Sequence, residues 1–208
     1  MECLTIPEDG SLVRVFHAVP NAPAVDVYVN DSLAFRDLSY RQFTNYIPLL
    51  SGQYTIQLYA TGTTEPALIT ADLSLPLGGI FTTVATGNLN DLQLLVLDDF
   101  EVNESESTVS KVRVVHLATN TPAVNIKLND MLFIQGIQFR EMTPYAIVPP
   151  DSYIVTVLDS ITNAQLIIFR VQLREHYIST IYLLGELPQL SAIQSIDGST
   201  YLCEALPL

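Results

Sequence analysis

Two histidines and two arginines recur in matched surroundings. "VRVFHAVPNAPAVDVYVND" runs from Val13 to Asp31, and "VRVVHLATNTPAVNIKLND" runs from Val112 to Asp130. The first stretch carries Arg14, His17, Asn21 and Pro23; the second carries Arg113, His116, Asn120 and Pro122 at the same places. Imidazole offers general acid–base chemistry or a metal ligand near neutral pH, and guanidinium grips carboxylates and phosphates. A metal site needs further donors, yet Asp26 of the first stretch is replaced by Asn125 in the second, so no matching carboxylate accompanies the two histidines. The third histidine, His176, follows Glu175 directly, and neighbours on a strand point to opposite faces. The chain has no G-x-S-x-G, P-loop, H-E-x-x-H or C-x-x-C pattern. These observations predict no catalytic residue, no metal, no cofactor and no enzyme activity.

The spacing instead suits a structural task. Each histidine shares a strand face with two valines, Val13 and Val15 or Val112 and Val114, which is the inward face if those valines pack. A buried imidazole there would hydrogen-bond the backbone of the proline-rich turn that follows. Arg14 and Arg113 fall on the opposite face, placed to pair with an acid or to stack on a tyrosine such as Tyr28. Asn21-Ala-Pro23 and Asn120-Thr-Pro122 read as turn formers, because asparagine closes Asx-turns and proline presets φ. Retention in both copies fits a shared folding requirement.

The elements that must hold these residues follow from the repeat itself. At the offset of 99 residues Leu33 matches Leu132, Arg41 matches Arg140, Thr44 matches Thr143, Tyr46 matches Tyr145 and Tyr54 matches Tyr153. The register then slips, but "FTTVATG" (Phe81–Gly87) still corresponds to "STIYLLG" (Ser179–Gly185). Val25, Val27 and Val29 alternate with Asp26, Tyr28 and Asn30, and Val124, Ile126 and Leu128 alternate with Asn125, Lys127 and Asn129. This period of two marks half-buried strands, and the Asn-Asp pairs that follow suit tight hairpins. Seven or so short strands per copy, with no helical stripe, predict an all-β chain of two tandem Ig-like antiparallel β-sandwich domains with short terminal arms. The expected boundaries are an N-terminal arm at 1–10, repeat 1 at 11–100, an acidic linker at 101–110, repeat 2 at 111–199 and a C-terminal arm at 200–208. The linker lies within "DDFEVNESESTVSK" (Asp98–Lys111), whose five acids and lack of apolar period read as exposed.

"VRVFHAVPNAPAVDVYVN" resembles the opening of the domain-of-unknown-function family 4397, whose members often begin "VRVxHASPDAPAVDVYVDG". The resemblance extends to both repeats. It departs in reading Val-Pro-Asn where Ser-Pro-Asp is usual, and Thr-Asn-Thr in the second copy. It implies an Ig-like or transthyretin-like sandwich, a mainly bacterial setting and tandem use on cell surfaces. No established activity comes with it.

Charge and composition remove other classes. The net charge is −13 with nine Lys plus Arg, so a phosphate backbone would be repelled and no nucleic-acid partner is expected. Hydrophobic residues reach 49%, yet polar residues interrupt every apolar run before membrane-spanning length, so no membrane insertion is expected. "LIIFRV" (Leu166–Val171) and "YISTIYLLG" (Tyr177–Gly185) are apolar on both strand faces, which suits burial against another subunit. The two cysteines, Cys3 and Cys203, lie near opposite ends of the chain, outside the repeats. They read either as incidental reduced thiols or as a linking pair. With the two sandwiches end to end the arms would lie too far apart for an internal bond and Cys3 of one molecule would meet Cys203 of the next, whereas a folded-back pair of domains would close the bond internally. Together these features predict a non-enzymatic structural protein that self-assembles as a fibre, appendage or surface component. The opening "MECLTIPEDGSL" shows no Sec-type signal peptide, which suggests cytoplasmic synthesis followed by display on a bacterial or spore surface. The competing expectation is a monomeric adhesion module with a surface glycan or protein as its ligand.

Overall fold

A computed structural model describes residues 3–101 and 108–203. Of these, the residues up to Glu101 and those from Tyr201 onward form one compact unit, and the remainder up to Thr200 form a second. Most of the predicted acidic linker therefore lies outside the described residues.

Unit 1 contains β1 (Gly10–His17), β2 (Val25–Val29), β3 (Ser32–Leu38), β4 (Ile47–Leu50), β5 (Gly52–Ala60), β6 (Ile69–Leu75), β7 (Ile80–Asn88) and β8 (Asp91–Asp98). They form two four-stranded sheets in the orders β4-β1-β7-β8 and β3-β2-β5-β6. Unit 2 repeats the plan with β9 (Ser110–His116), β10 (Val124–Leu128), β11 (Met131–Ile137), β12 (Ala146–Val148), β13 (Ser152–Asp159), β14 (Gln165–Gln172), β15 (Ile178–Glu186) and β16 (Gln189–Ile196). Its sheets run β12-β9-β15-β16 and β11-β10-β13-β14.

Each unit is a sandwich because one face of each sheet is apolar and must be covered. In unit 1, Val15 and Ala85 from one sheet meet Val27, Ile56, Leu58 and Leu73 from the other. In unit 2, Val114, Ile181 and Leu183 meet Val124, Ile126, Val155 and Val157. Local sequence sets the tight turns as expected. Asn30 and Asp31 take φ of 47° and 61°, Asn129 and Asp130 take 46° and 67°, and both pairs connect neighbouring strands as two-residue hairpins.

The sheets are not wholly antiparallel. β1 runs parallel to β7, and β9 runs parallel to β15. The first strand of each unit lies between a short edge strand and the last hairpin, a neighbour relation that alternation within a strand does not encode.

β1 and β7 are buried along nearly their whole length, so the Arg14 face is covered as well as the valine face. One expectation about burial is corrected. "YISTIYLLG" supplies β15, a central strand hydrogen-bonded on both sides to β9 and β16 and buried within a single chain. Its two apolar faces require no second subunit. "LIIFRV" supplies β14, an edge strand whose Ile167 and Phe169 pack on the core while Ile168 stays exposed.

The terminal arms meet. Leu4 pairs in parallel with Leu202, with Leu4 N donating to Tyr201 O at 2.7 Å and Cys203 N donating to Leu4 O at 2.8 Å. This pairing sets the Cα atoms of Cys3 and Cys203 5.0 Å apart, and the two form a disulfide within one chain. The intermolecular disulfide expected for Cys3 and Cys203 is thereby corrected. Tyr201, Leu202 and Cys203 thus belong with unit 1.

Candidate functional site

The doubled histidines clasp the turn that follows them. His17 lies at the end of β1, fully buried, and its Nδ1 accepts from Val19 N at 3.3 Å. A backbone N–H can only donate, so the ring proton must sit on Nε2, which donates to Pro23 O at 3.1 Å. His116 repeats this with Ala118 N at 3.3 Å and Pro122 O at 3.3 Å. Both nitrogens of each neutral ring are therefore engaged, Nδ1 as acceptor and Nε2 as donor, which leaves neither for a metal or for proton transfer. Burial holds the pKa of both rings below the usual histidine value, against the smaller opposing effect of the proline carbonyls. Asn21 and Asn120, with φ of 61° and 51°, bend the chain between the histidine and its proline. Beside His116 lies a small cavity with Val124, Val157, Ile167 and Leu183 in its wall, apolar and with room for about one water.

The doubled arginines lead to buried carboxylates. Arg14 Nε donates to Thr82 Oγ1 at 2.8 Å, and the Thr82 hydroxyl donates to Asp99 Oδ2. Tyr46 Oη donates to the same oxygen at 2.8 Å, and Arg14 Nη2 stands 3.8 Å from it. The guanidinium lies over the rings of Phe43 and Tyr46, 4.6 and 4.7 Å from their centroids. In unit 2, Arg113 Nε donates to Thr180 Oγ1 at 2.8 Å, Thr180 to Asp197 Oδ2 at 2.6 Å, and Tyr145 Oη to that oxygen at 2.7 Å. Arg113 lies over Tyr145 at 4.6 Å. Asp99 and Asp197 have no solvent exposure.

This arrangement follows from strand pairing. Arg14 sits opposite Thr82 in the β1–β7 register, and Arg113 opposite Thr180 in the β9–β15 register. Each aspartate lies just past the end of the strand that pairs with the threonine strand, at β8 or β16. A buried guanidinium and a buried carboxylate are tolerable only when paired and fully hydrogen-bonded, and the threonine and tyrosine hydroxyls complete that pairing. The arginine partner is Tyr46, not Tyr28. Tyr28 meets Tyr59 edge-on at 5.2 Å on the other sheet.

The sequence alone does not single out Asp99, Asp197, Thr82 or Thr180, and Asp99 reads there as part of an exposed acidic stretch. A signal existed. After the register slips, Thr82 matches Thr180, and the same spacing carries Asp99 onto Asp197.

The Asp26/Asn125 exchange also has a structural basis. Asp26 Oδ1 accepts Asp37 N at 2.9 Å, and Asn125 Oδ1 accepts Gly136 N at 2.9 Å, so each serves a bulge in the neighbouring strand. Asp26 additionally takes Gly62 N at 3.0 Å. The backbone N–H groups of Gly62 and Asp37 hold its pKa below the usual aspartate value. Among the described residues, no group of three or more His, Cys, Asp or Glu side chains stands close enough to hold a metal ion.

The two units differ where they face outward. On the β3-β2-β5-β6 sheet the outer side chains include Tyr28, Thr55, Gln57, Tyr59, Thr70 and Asp72. The equivalent positions on β11-β10-β13-β14 are Lys127, Ile154, Thr156, Leu158, Ile168 and Arg170. The buried constellations are kept in both copies, and the exposed faces are not.

Comparison with known proteins adds the following. Among curated proteins, none matches significantly. Among solved structures, the C-terminal domain of AlgF from P. aeruginosa is similar at a TM-score of 0.32 and 14% identity, over 43% of this chain and 98% of that one. CBMbc (family CBM26) from Eubacterium rectale Amy13K, solved with maltoheptaose, is similar at 0.29 and 10%, over 88% and 97%. TM-scores this low carry no argument about ligand or assembly. A family model for a domain of unknown function, DUF4397, matches residues 11–127 and again 110–200. These matches run nearly end to end over two units with the same strand order and the same buried constellations, and the chain belongs to the DUF4397 family as a tandem pair.

Proposed function

We propose that the protein is a non-enzymatic structural and binding module of a bacterial surface, acting through its exposed sheet faces and not through the doubled motif. The carrying observation is that Arg14, His17, Arg113 and His116 are all buried and spend their polar atoms on internal hydrogen bonds. A group so engaged cannot reach a substrate without dismantling the sandwich. The internal disulfide supports an oxidising setting such as a cell or spore surface, since thiols stay reduced in most cytosols. Antibody labelling of intact cells and spores of the producing organism tests the location. Labelling confined to lysed cells would overturn it. Arg113→Lys tests the role of the motif. It should lower stability and leave any measured binding by the folded protein intact, whereas loss of binding without loss of stability would return function to the motif.

A second reading is favoured by unit 1. Tyr28 and Tyr59 form an edge-to-face pair on the outer face of the β3-β2-β5-β6 sheet beside Gln57, whose buried amide oxygen has no hydrogen-bond partner. Aromatic rings with adjacent hydrogen-bonding groups suit a polyhydroxylated ligand such as a glycan. A glycan array read with wild type and Tyr59→Ala decides this. Binding lost in the variant supports it, and no binding by the wild type removes it.

A further inference from the structure

The outer face of β11-β10-β13-β14 is poor in carboxylates for so acidic a chain. Leu132, Ile154 and Ile168 stand on it 57%, 40% and 54% exposed, a patch of aliphatic surface spread over three strands. Lys127 lies opposite Leu132 and Thr156, and Arg170 lies opposite Ile154, so two cations share the face with the patch. The four strands carry a single carboxylate, Asp159, at the very end of β13. The matching strands of unit 1 have the reverse balance, with exposed Asp37 and Asp72 against Arg36, while Asp26 is buried at the bulge. That sheet offers Tyr28, Tyr59 and Leu33 as its larger apolar groups.

We propose that the basic, aliphatic face of unit 2 docks on the acidic, aromatic face of unit 1 in a second copy of this chain. The proposal rests on the reading that function lies on the exposed sheet faces, and it names the partner. Aliphatic side chains gain by leaving water against tyrosine rings, and the opposite charges around them set orientation and exclude like-face pairing. Pairing two basic faces, or two acidic ones, would place like charges together, so the contact is heterologous. It uses no covalent link, in keeping with the internal disulfide.

The test is sedimentation velocity of the full chain over a range of concentrations at about 150 mM salt, where a Debye length of about 8 Å screens the long-range repulsion of the net charge. Wild type should form concentration-dependent assemblies. Lys127→Glu/Arg170→Glu should weaken association about tenfold or more, and so should Thr70→Lys/Asp72→Lys, with melting temperatures unchanged. Mixing these two variants should restore association, because the reversed faces complement each other only between molecules. A monomeric wild type at every concentration, or variants that associate as wild type does, would overturn the proposal. If the wild type is monomeric but binds a glycan through Tyr28 and Tyr59, self-docking fails while the reading of exposed faces stands. If it is monomeric and no face variant alters any binding, both fall.

Discussion

The Tyr46 hydroxyl donates to Asp99 at 2.8 Å, and Asp99 in turn neutralises Arg14 through Thr82. Removing the carboxylate takes away the negative charge that balances a buried guanidinium. Asp99→Asn should cost about 3–5 kcal/mol. Tyr46→Phe removes only one hydrogen bond and should cost about 1–2 kcal/mol. Denaturant unfolding of both variants checks the ranking, and the same order is expected for Asp197→Asn and Tyr145→Phe. Equal losses would show that the aspartate is not the centre of the network.

Stability should fall as pH drops below 6.5, the ordinary histidine value. His17 and His116 have folded pKa values below it, so in this window the unfolded chain binds protons that the folded chain refuses. Their contribution is intact above 6.5 and declines toward the folded values, at no more than about 1.4 kcal/mol per pH unit for each ring. Asp26 acts in a separate window. Its folded pKa lies below 3.8, so its contribution is present above that value and lost as pH falls beneath it. Denaturant midpoints from pH 8 to pH 5 should therefore slope downward in wild type. In His17→Gln/His116→Gln they should be lower at pH 8 and flatter across the range.

The Cys3–Cys203 bond should appear as a compact monomer on non-reducing electrophoresis, with no ladder of multimers. Reduction should slow migration and cost about 2–4 kcal/mol of stability in unit 1, which holds both arms. Cys203→Ser frees Cys3 and should allow disulfide-linked dimers but nothing larger. A ladder in oxidised wild type would overturn the internal pairing.

The two bulges differ in a way that predicts reciprocal effects. Asp37 takes φ of 56° where Gly136 takes 67°, a region that suits glycine and strains other residues. Asp37→Gly keeps the N–H that Asp26 accepts and should be neutral or stabilising by up to about 1 kcal/mol. Gly136→Asp should destabilise by about 1–2 kcal/mol. Thermal melts of the two single variants measure both signs.

The sequence by itself determined the doubling, the strand character and the tight turns. Those depend on neighbours along the chain: valines alternating with polar residues, and Asn-Asp pairs that accept positive φ. It also singled out Arg14, His17, Arg113 and His116, since a repeat exposes whatever both copies keep. The histidine partners are local too, because Pro23 and Pro122 lie within one turn of chain. Only the tertiary structure decided the rest. Arg14 reaches Asp99 because β1 pairs with β7 and β7 with β8, and strand order is a property of the whole sandwich. Local alternation cannot show that a second face is also covered, so Arg14 reads only as the partner of some acid or tyrosine, and Asp99 reads as exposed. The same limit applies to the cysteines. Whether Cys3 meets Cys203 of its own chain depends on where the C-terminal arm returns, and the backbone bonds between Leu4, Tyr201 and Cys203 decide that.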